Sequence, residues 1–263
     1  MKVSHELPIE LLHKSYEWND YDYCLPHLID KYDRYRLFFQ KARLDKRFII
    51  MDNGLFEGVT HTTEDLFDKI NLIHPSIFIV PDEWNDSAAT LRNAKHWIIN
   101  HKPSLPEGVE LMAVCQGKNI GELITTYQTL LDIGYKHIAF NHSSIAYTEF
   151  YPDHKPVYAQ MLGRIELIRR LIENDTVRKH VYHHLLGCSL PQEFMAYSNF
   201  DWIKSVDTSN PIIVGSEGVR YGDNGIDFKP KTKIEDLFLA EVNLSERMDD
   251  IIFNIEKFKQ YTK

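Results

Sequence analysis

Lys204-Ser205-Val206-Asp207-Thr208-Ser209-Asn210-Pro211 follows directly on Phe200-Asp201-Trp202-Ile203. A short, apolar-tinged segment here delivers an acid and then breaks at Asn-Pro, a pair that favours turn initiation. It reads as a strand over residues 201–207 that ends in a loop, with Asp207 at its carboxyl end. Four earlier segments end alike: Ile49-Ile50-Met51-Asp52, Phe78-Ile79-Val80-Pro81-Asp82, Met112-Ala113-Val114-Cys115-Gln116 and Ile138-Ala139-Phe140-Asn141. Taken singly, each polar residue reads equally well as the N-cap of a helix after a buried strand. Five such endings in order point to one shared pocket, because barrel enzymes do their chemistry at the carboxyl ends of parallel strands.

Working outward, strand and helix alternate along the whole chain. The first strand is expected at Tyr21-Asp22-Tyr23-Cys24-Leu25-Pro26-His27-Leu28, after a mixed segment with one helical turn near Leu7-Pro8-Ile9-Glu10-Leu11-Leu12. Further strands are expected over residues 47–53, 75–82, 110–116, 136–141, 184–188 and 201–207. The eighth is placed at Ile212-Ile213-Val214 or near Ile226-Asp227-Phe228. Helices are expected over 30–46, from Thr62, over 85–101, over 119–133 with Gly134 as the stop, over 156–174, in a short piece from Pro191, and over 234–261 with a break near Asn243-Leu244-Ser245. The aromatic stretch from Ser143 to Pro152 has the length and position of a substrate lid. Strands and helices in alternation with short connections make a parallel sheet wound with helices. With no mid-chain linker, the expected fold is one α/β domain spanning 1–263, a (β/α)8 TIM barrel.

Bulk properties agree. The chain has 263 residues, close to the roughly 250 of a single barrel. A net charge of −8 argues against a protein that coats nucleic acid through overall charge, though not against local basic patches. Three cysteines without a Cys-x-x-Cys pair make a structural zinc site unexpected. Neither a Gly-x-Gly-x-x-Gly nor a Walker-type loop occurs, so no nucleotide cofactor is indicated. The first residues lack a signal-peptide core, and no apolar run approaches a membrane span. A cytoplasmic protein needing neither metal nor cofactor is the expectation. On the helix over 30–46, Arg34 and Arg43 belong to a basic face interleaved with aromatics, which suits either a phosphate backbone or simple solvation.

The run of strand ends resembles the tRNA-guanine transglycosylase superfamily over roughly residues 47–220. Asp52-Asn53-Gly54-Leu55-Phe56-Glu57 is similar to its Asp-Ser-Gly-Gly-Phe/Tyr-Gln, Val80-Pro81-Asp82-Glu83 to its strand ending in Asp-Glu, and Cys115-Gln116-Gly117 to its Val-Gln-Gly. Leu185-Leu186-Gly187-Cys188-Ser189-Leu190-Pro191 looks like its Leu-Met-Gly-Val-Gly-x-Pro, and Asp201 to Asp207 looks like the strand bearing its nucleophile. The resemblance implies Asp207 as nucleophile and Asp52 as acid/base. It implies Asp82 and Gln116 on the polar edge of a purine, Phe56 and Leu186 on its faces, Gly54 in close approach, and Asn141 as a lesser contact. The family's Cys/His zinc site has no match here, and Thr208-Ser209-Asn210-Pro211 replaces its Pro-Thr-Arg. Those lost parts serve tRNA binding in the family, and Asn19-Asp20-Tyr21-Asp22-Tyr23 with Asp52-Asn53-Gly54 looks closest to the compact, zinc-free phage branch that places 7-deazaguanines into DNA. The implied reaction is therefore exchange of guanine in DNA for a 7-deazaguanine such as 7-cyano-7-deazaguanine. Arg34, Arg43, Arg164, Lys229, Lys231 and Lys233 are then the candidate phosphate contacts. A tRNA substrate, a homodimer, a glycoside hydrolase using Asp52 and Asp207, and a non-catalytic nucleic-acid-binding barrel all stay open.

Overall fold

In a computed structural model, residues 1–230, 232, 234, 237 and 244–263 of the chain are described. Eight parallel strands form one sheet: β1 (Lys2–His5), β2 (Asp22–Cys24), β3 (Ile49–Met51), β4 (Ile77–Ile79), β5 (Glu110–Cys115), β6 (His137–Phe140), β7 (Tyr182–Leu185) and β8 (Ile203–Thr208). Their order is β1-β8-β7-β6-β5-β4-β3-β2, so the first strand sits beside the last and the sheet curls into a nearly closed barrel ringed by helices. This is the expected (β/α)8 architecture. The central strands form where the sequence runs are continuous and apolar: Ile49–Met51 and Ile77–Ile79 are entirely buried, as strands covered on both faces must be.

Two expectations about the strands are corrected. The segment around Tyr21–Cys24 is the second strand, and the first is Lys2–His5, which reads as mixed because it has only four residues, with Lys2 exposed. Among the described residues no strand follows Ile203–Thr208, which is itself the eighth. Residues Asn210–Ser216 are a helix, and Gly222 and Gly225 form an isolated bridge rather than a strand near Phe228. Ile212, Ile213 and Val214 are apolar because that helix is buried, and a short apolar run does not by itself distinguish strand from helix. It packs against the helix Met248–Tyr261 so closely that a Cβ on Gly215 would lie 2.6 Å from the Ile251 backbone.

The seam between β1 and β2 is bridged by side chains. Asn19 accepts from the His5 amide at 2.7 Å and donates to its carbonyl at 2.9 Å, and Asp20 accepts from the Val3 amide at 2.8 Å. The helix expected over 30–46 is two helices, Pro26–Lys31 and Asp33–Leu44, divided by Tyr32 in an extended conformation. The expected lid contains a helix, Ile145–Phe150, whose Tyr147 is buried. Gly163 of the helix Pro156–Glu173 permits that contact, since a Cβ there would fall 2.3 Å from the Tyr147 Cβ. Of the terminal helix, Met248–Tyr261 is observed, and part of residues 234–243 lies outside the described residues. No helix among the described residues is long and apolar enough to cross a membrane.

Candidate active site

At the carboxyl ends of the strands the barrel opens into a cavity of about 430 Å³. All eight strands or the loops that follow them contribute. Glu6 follows β1, Tyr23 lies in β2, Asp52 follows β3, Asp82 follows β4, Gln116 follows β5, Asn141 follows β6, Leu186 follows β7, and Asp207 lies in β8. Asp52 and Asp207, read from distant parts of the sequence, thus face one space. The convergence is a consequence of the parallel winding, which brings every strand's carboxyl end to the same rim.

One wall is a row of amides and one acid. Asn53 donates to Asp82 Oδ1 and Gln116 to Asp82 Oδ2, each at 2.7 Å. Asn141 donates to Gln116 Oε1 at 3.2 Å, and the Tyr147 hydroxyl donates to Asn141 Oδ1 at 3.2 Å. Burial pushes Asp82 up to about 6, against the opposing pull of its hydrogen bonds from Gln116 and Asn53. A buried row that can both accept and donate suits the polar edge of a flat heterocycle.

A second group of lining residues is acidic. Burial, and then the charges of Asp207, Glu57 and Asp52, hold Glu6 well above the usual carboxylate range, and it is hydrogen-bonded to Asp207. Asp52 is likewise raised well above that range, first by burial and then by Glu57, while its Oδ1 accepts from the Asn53 amide at 2.7 Å. Asp207 accepts from the Gly187 amide at 3.2 Å and meets His184 Nε2 at 2.9 Å. One carboxyl that retains a proton beside another supplied with N–H donors is the division of labour that acid-assisted nucleophilic substitution requires.

The mouth is aromatic. Phe56 is 57% exposed, so it is not a core residue. Its ring lies 6.1 Å from Trp84 and 5.1 Å from His142, and burial lowers His142 to about 3, leaving a neutral ring. Leu186 lines the same space. Gly54 does not line it. With φ of +85° it makes the turn after Asp52, and a Cβ there would meet the His61 ring at 3.2 Å.

The basic residues divide. Lys229 lines the cavity. Arg34 is exposed in the first turn of the helix Asp33–Leu44, at the end of the barrel where the cavity opens. Lys231 and Lys233 lie outside the described residues. Two expectations are corrected. Arg164 is 0% exposed, its Nε bonding Glu193 at 2.6 Å and its guanidinium donating to the carbonyls of Leu186 at 2.8 Å and Gly187 at 3.1 Å. It braces the loop after β7 from inside and cannot reach a phosphate. Arg43 donates to the carbonyls of Asn71 and Leu72 at 3.3 and 3.1 Å, capping the end of the helix Thr63–Ile73 that precedes β4, on the face away from the cavity.

The sequence reading did not assign Glu6, Asn53, Glu57, Trp84, His142 or His184. Asn53, Glu57 and Trp84 flank assigned residues and were within reach of the motif argument. Glu6 depended on recognising β1, and His184 on knowing which face of β7 points inward. Among the described residues no group of three or more His, Cys, Asp or Glu has metal-holding geometry. No protein-family model matches the chain, and no curated protein matches it.

Proposed function

We propose that the protein is a base-exchange transglycosylase that replaces guanine in DNA with a 7-deazaguanine. The observation carrying this reading is that Asp52, Asp82, Gln116 and Asp207 line one cavity together with Phe56 and Leu186. In the proposed reaction an Asp207 oxygen attacks C1′ of the target nucleotide as the C1′–N9 bond breaks, and Asp52 gives its proton to N9 of the departing guanine. The result is a glycosyl ester on Asp207. The incoming 7-deazaguanine loses its N9 proton to Asp52 and attacks C1′, and Asp207 leaves as a carboxylate. Asp82 and Gln116 hold the base edge, and Phe56 and Leu186 cover its faces. The base must leave the helix to enter, a cost of a few kcal/mol that stacking at the aromatic mouth offsets.

The test is to incubate the protein with duplex DNA, single-stranded DNA or tRNA and 7-cyano-7-deazaguanine, digest to nucleosides and analyse by mass spectrometry. Incorporation into DNA supports the reading, and incorporation into tRNA alone moves the substrate to RNA. Release of free guanine or sugar without incorporation favours hydrolysis, a reading to which the additional acids Glu6 and Glu57 lend weight.

A further inference from the structure

His184 is wholly buried beneath the cavity and takes no part in the reaction as proposed above. Its Nε2 lies 2.9 Å from Asp207 Oδ1 and its Nδ1 2.8 Å from Ser205 Oγ. Ser205 Oγ also accepts from the Tyr182 hydroxyl at 2.8 Å. A serine hydroxyl that accepts one hydrogen bond still has its own hydrogen to give. An ionised Asp207 can only accept, so the imidazole hydrogen facing it belongs on Nε2, and Nδ1 is then left to accept from Ser205. Tyr182, Ser205, His184 and Asp207 thus stand in one continuous run of contacts, each within 2.9 Å of the next.

The backbone is shaped for this arrangement. Ser205 and Asp207 are two apart on β8 and so share its inner face. The register between β7 and β8 slips between His183 and His184, where His183 pairs with Ile203 but His184 with Ser205. An irregularity of this kind re-aims a side chain. Here it sets the imidazole level with both partners. Tyr23 stacks on the ring at 6.0 Å and Tyr21 meets it edge-on at 6.4 Å.

We propose that His184, fixed by Ser205 and Tyr182, is the positioning residue for Asp207: it aims the carboxylate into the cavity and supplies an N–H to its anion. The anion exists twice in the exchange, before attack on C1′ and again when the ester is displaced by the incoming base. A donor held in place throughout aims the carboxylate for the first event and assists the second, because Asp207 must then depart with the bonding electron pair. The proposal rests on the transglycosylase reading only for the reaction in which it is timed. The other titratable groups facing this pair are Glu6 after β1, Tyr21 and Tyr23 at β2, Asp52 and Glu57 after β3, and Tyr182 at the start of β7.

Two measurements test it. The first is base exchange against pH for wild type, His184→Phe, which fills the ring's space without a donor, and His184→Gln, which keeps an N–H at similar reach. His184→Phe should lose about 100-fold or more in kcat with KM nearly unchanged, and the acidic limb of its profile should move to higher pH. His184→Gln should recover most of the rate and return the limb. Wild-type kcat in His184→Phe, a loss confined to KM, or no recovery in His184→Gln overturns the proposal. The second is nitrogen NMR of the wild-type imidazole, assigned with His184→Gln. A hydrogen on Nε2 is expected, and a ring whose hydrogen sits on Nδ1 alone overturns it. That spectrum requires neither turnover nor a folded His184→Phe. Failure of base exchange in the wild type therefore removes the transglycosylase reading while the role of His184 is still decided.

Discussion

Gln116 and Asn53 grip Asp82 from opposite sides, each donating one amide N–H to a different carboxylate oxygen at 2.7 Å. Burial nevertheless keeps the acid at about 6. Below that pH Asp82 is protonated and has lost acceptor capacity toward a purine's ring and amino N–H groups. Binding of a 7-deazaguanine, followed by calorimetry, should therefore be tightest at neutral pH and above, and weaken by up to about tenfold per unit as pH falls below 6. Asp82→Ala should weaken it by about 1–3 kcal/mol at neutral pH.

Asp207→Asn preserves size and leaves an oxygen for the His184 and Gly187 donors, but removes the nucleophile. Exchange should fall below detection while calorimetric base binding stays within about twofold, since no bond to the base is lost. Retained exchange would transfer the nucleophile's role to Glu6 or Glu57.

Asp52 carries a stability cost that follows from its raised pKa. In the unfolded chain it ionises near the ordinary carboxylate range, whereas in the folded protein burial and the Glu57 charge resist ionisation. Between those two points the folded state holds the extra proton, so stability falls as pH rises through that interval. Asp52→Asn, which keeps the acceptor for the Asn53 amide, should raise the melting temperature at alkaline pH, by an amount equivalent to about 1–2 kcal/mol, and abolish exchange. The gain should vanish below pH ~4, where the carboxyl is protonated in both states. Equal stabilisation at every pH would show that the cost is not one of ionisation.

Arg164 and Glu193 should behave as a buried pair. Arg164→Met leaves Glu193 uncompensated and frees the carbonyls of Leu186 and Gly187, so denaturant unfolding should report a loss of about 3–5 kcal/mol. Adding Glu193→Leu should return a large part of it. A residue serving only as a phosphate contact would show neither effect.

Phe56 separates packing from binding. Because its ring is exposed, Phe56→Ala should change stability by less than about 0.5 kcal/mol. It should weaken heterocycle binding by about 1–3 kcal/mol, the usual worth of a base–aromatic stack.

Much of this was legible in the sequence. The strands at Ile49, Ile77, Glu110 and His137 announce themselves because burial on both faces leaves continuous apolar runs, and the polar residue ending each run is the one that reaches the cavity. Lys2–His5 was not legible, because its burial comes from closing the ring against β8 and leaves no long apolar signature. Arg164 misled for the converse reason. An arginine on a helix reads as solvated, and the acid that neutralises it, Glu193, lies on a distant short helix that composition does not link to it. Phe56 was recoverable through the motif alone, since an isolated aromatic does not declare which side of a loop it occupies.

The joint between β1 and β2 has a consequence for how the barrel opens. Beside a single backbone bond, from the Asp20 amide to the Val3 carbonyl at 2.9 Å, two side chains, Asn19 and Asp20, hold the amides of His5 and Val3. Rotating Asn19 frees the amide of His5, and rotating Asp20 that of Val3, without unzipping any strand pair. Deuterium should therefore enter at those amides ahead of the rest of the staves, and Asn19→Ala should quicken its entry at His5 while the amides of β4 to β6 keep their protection.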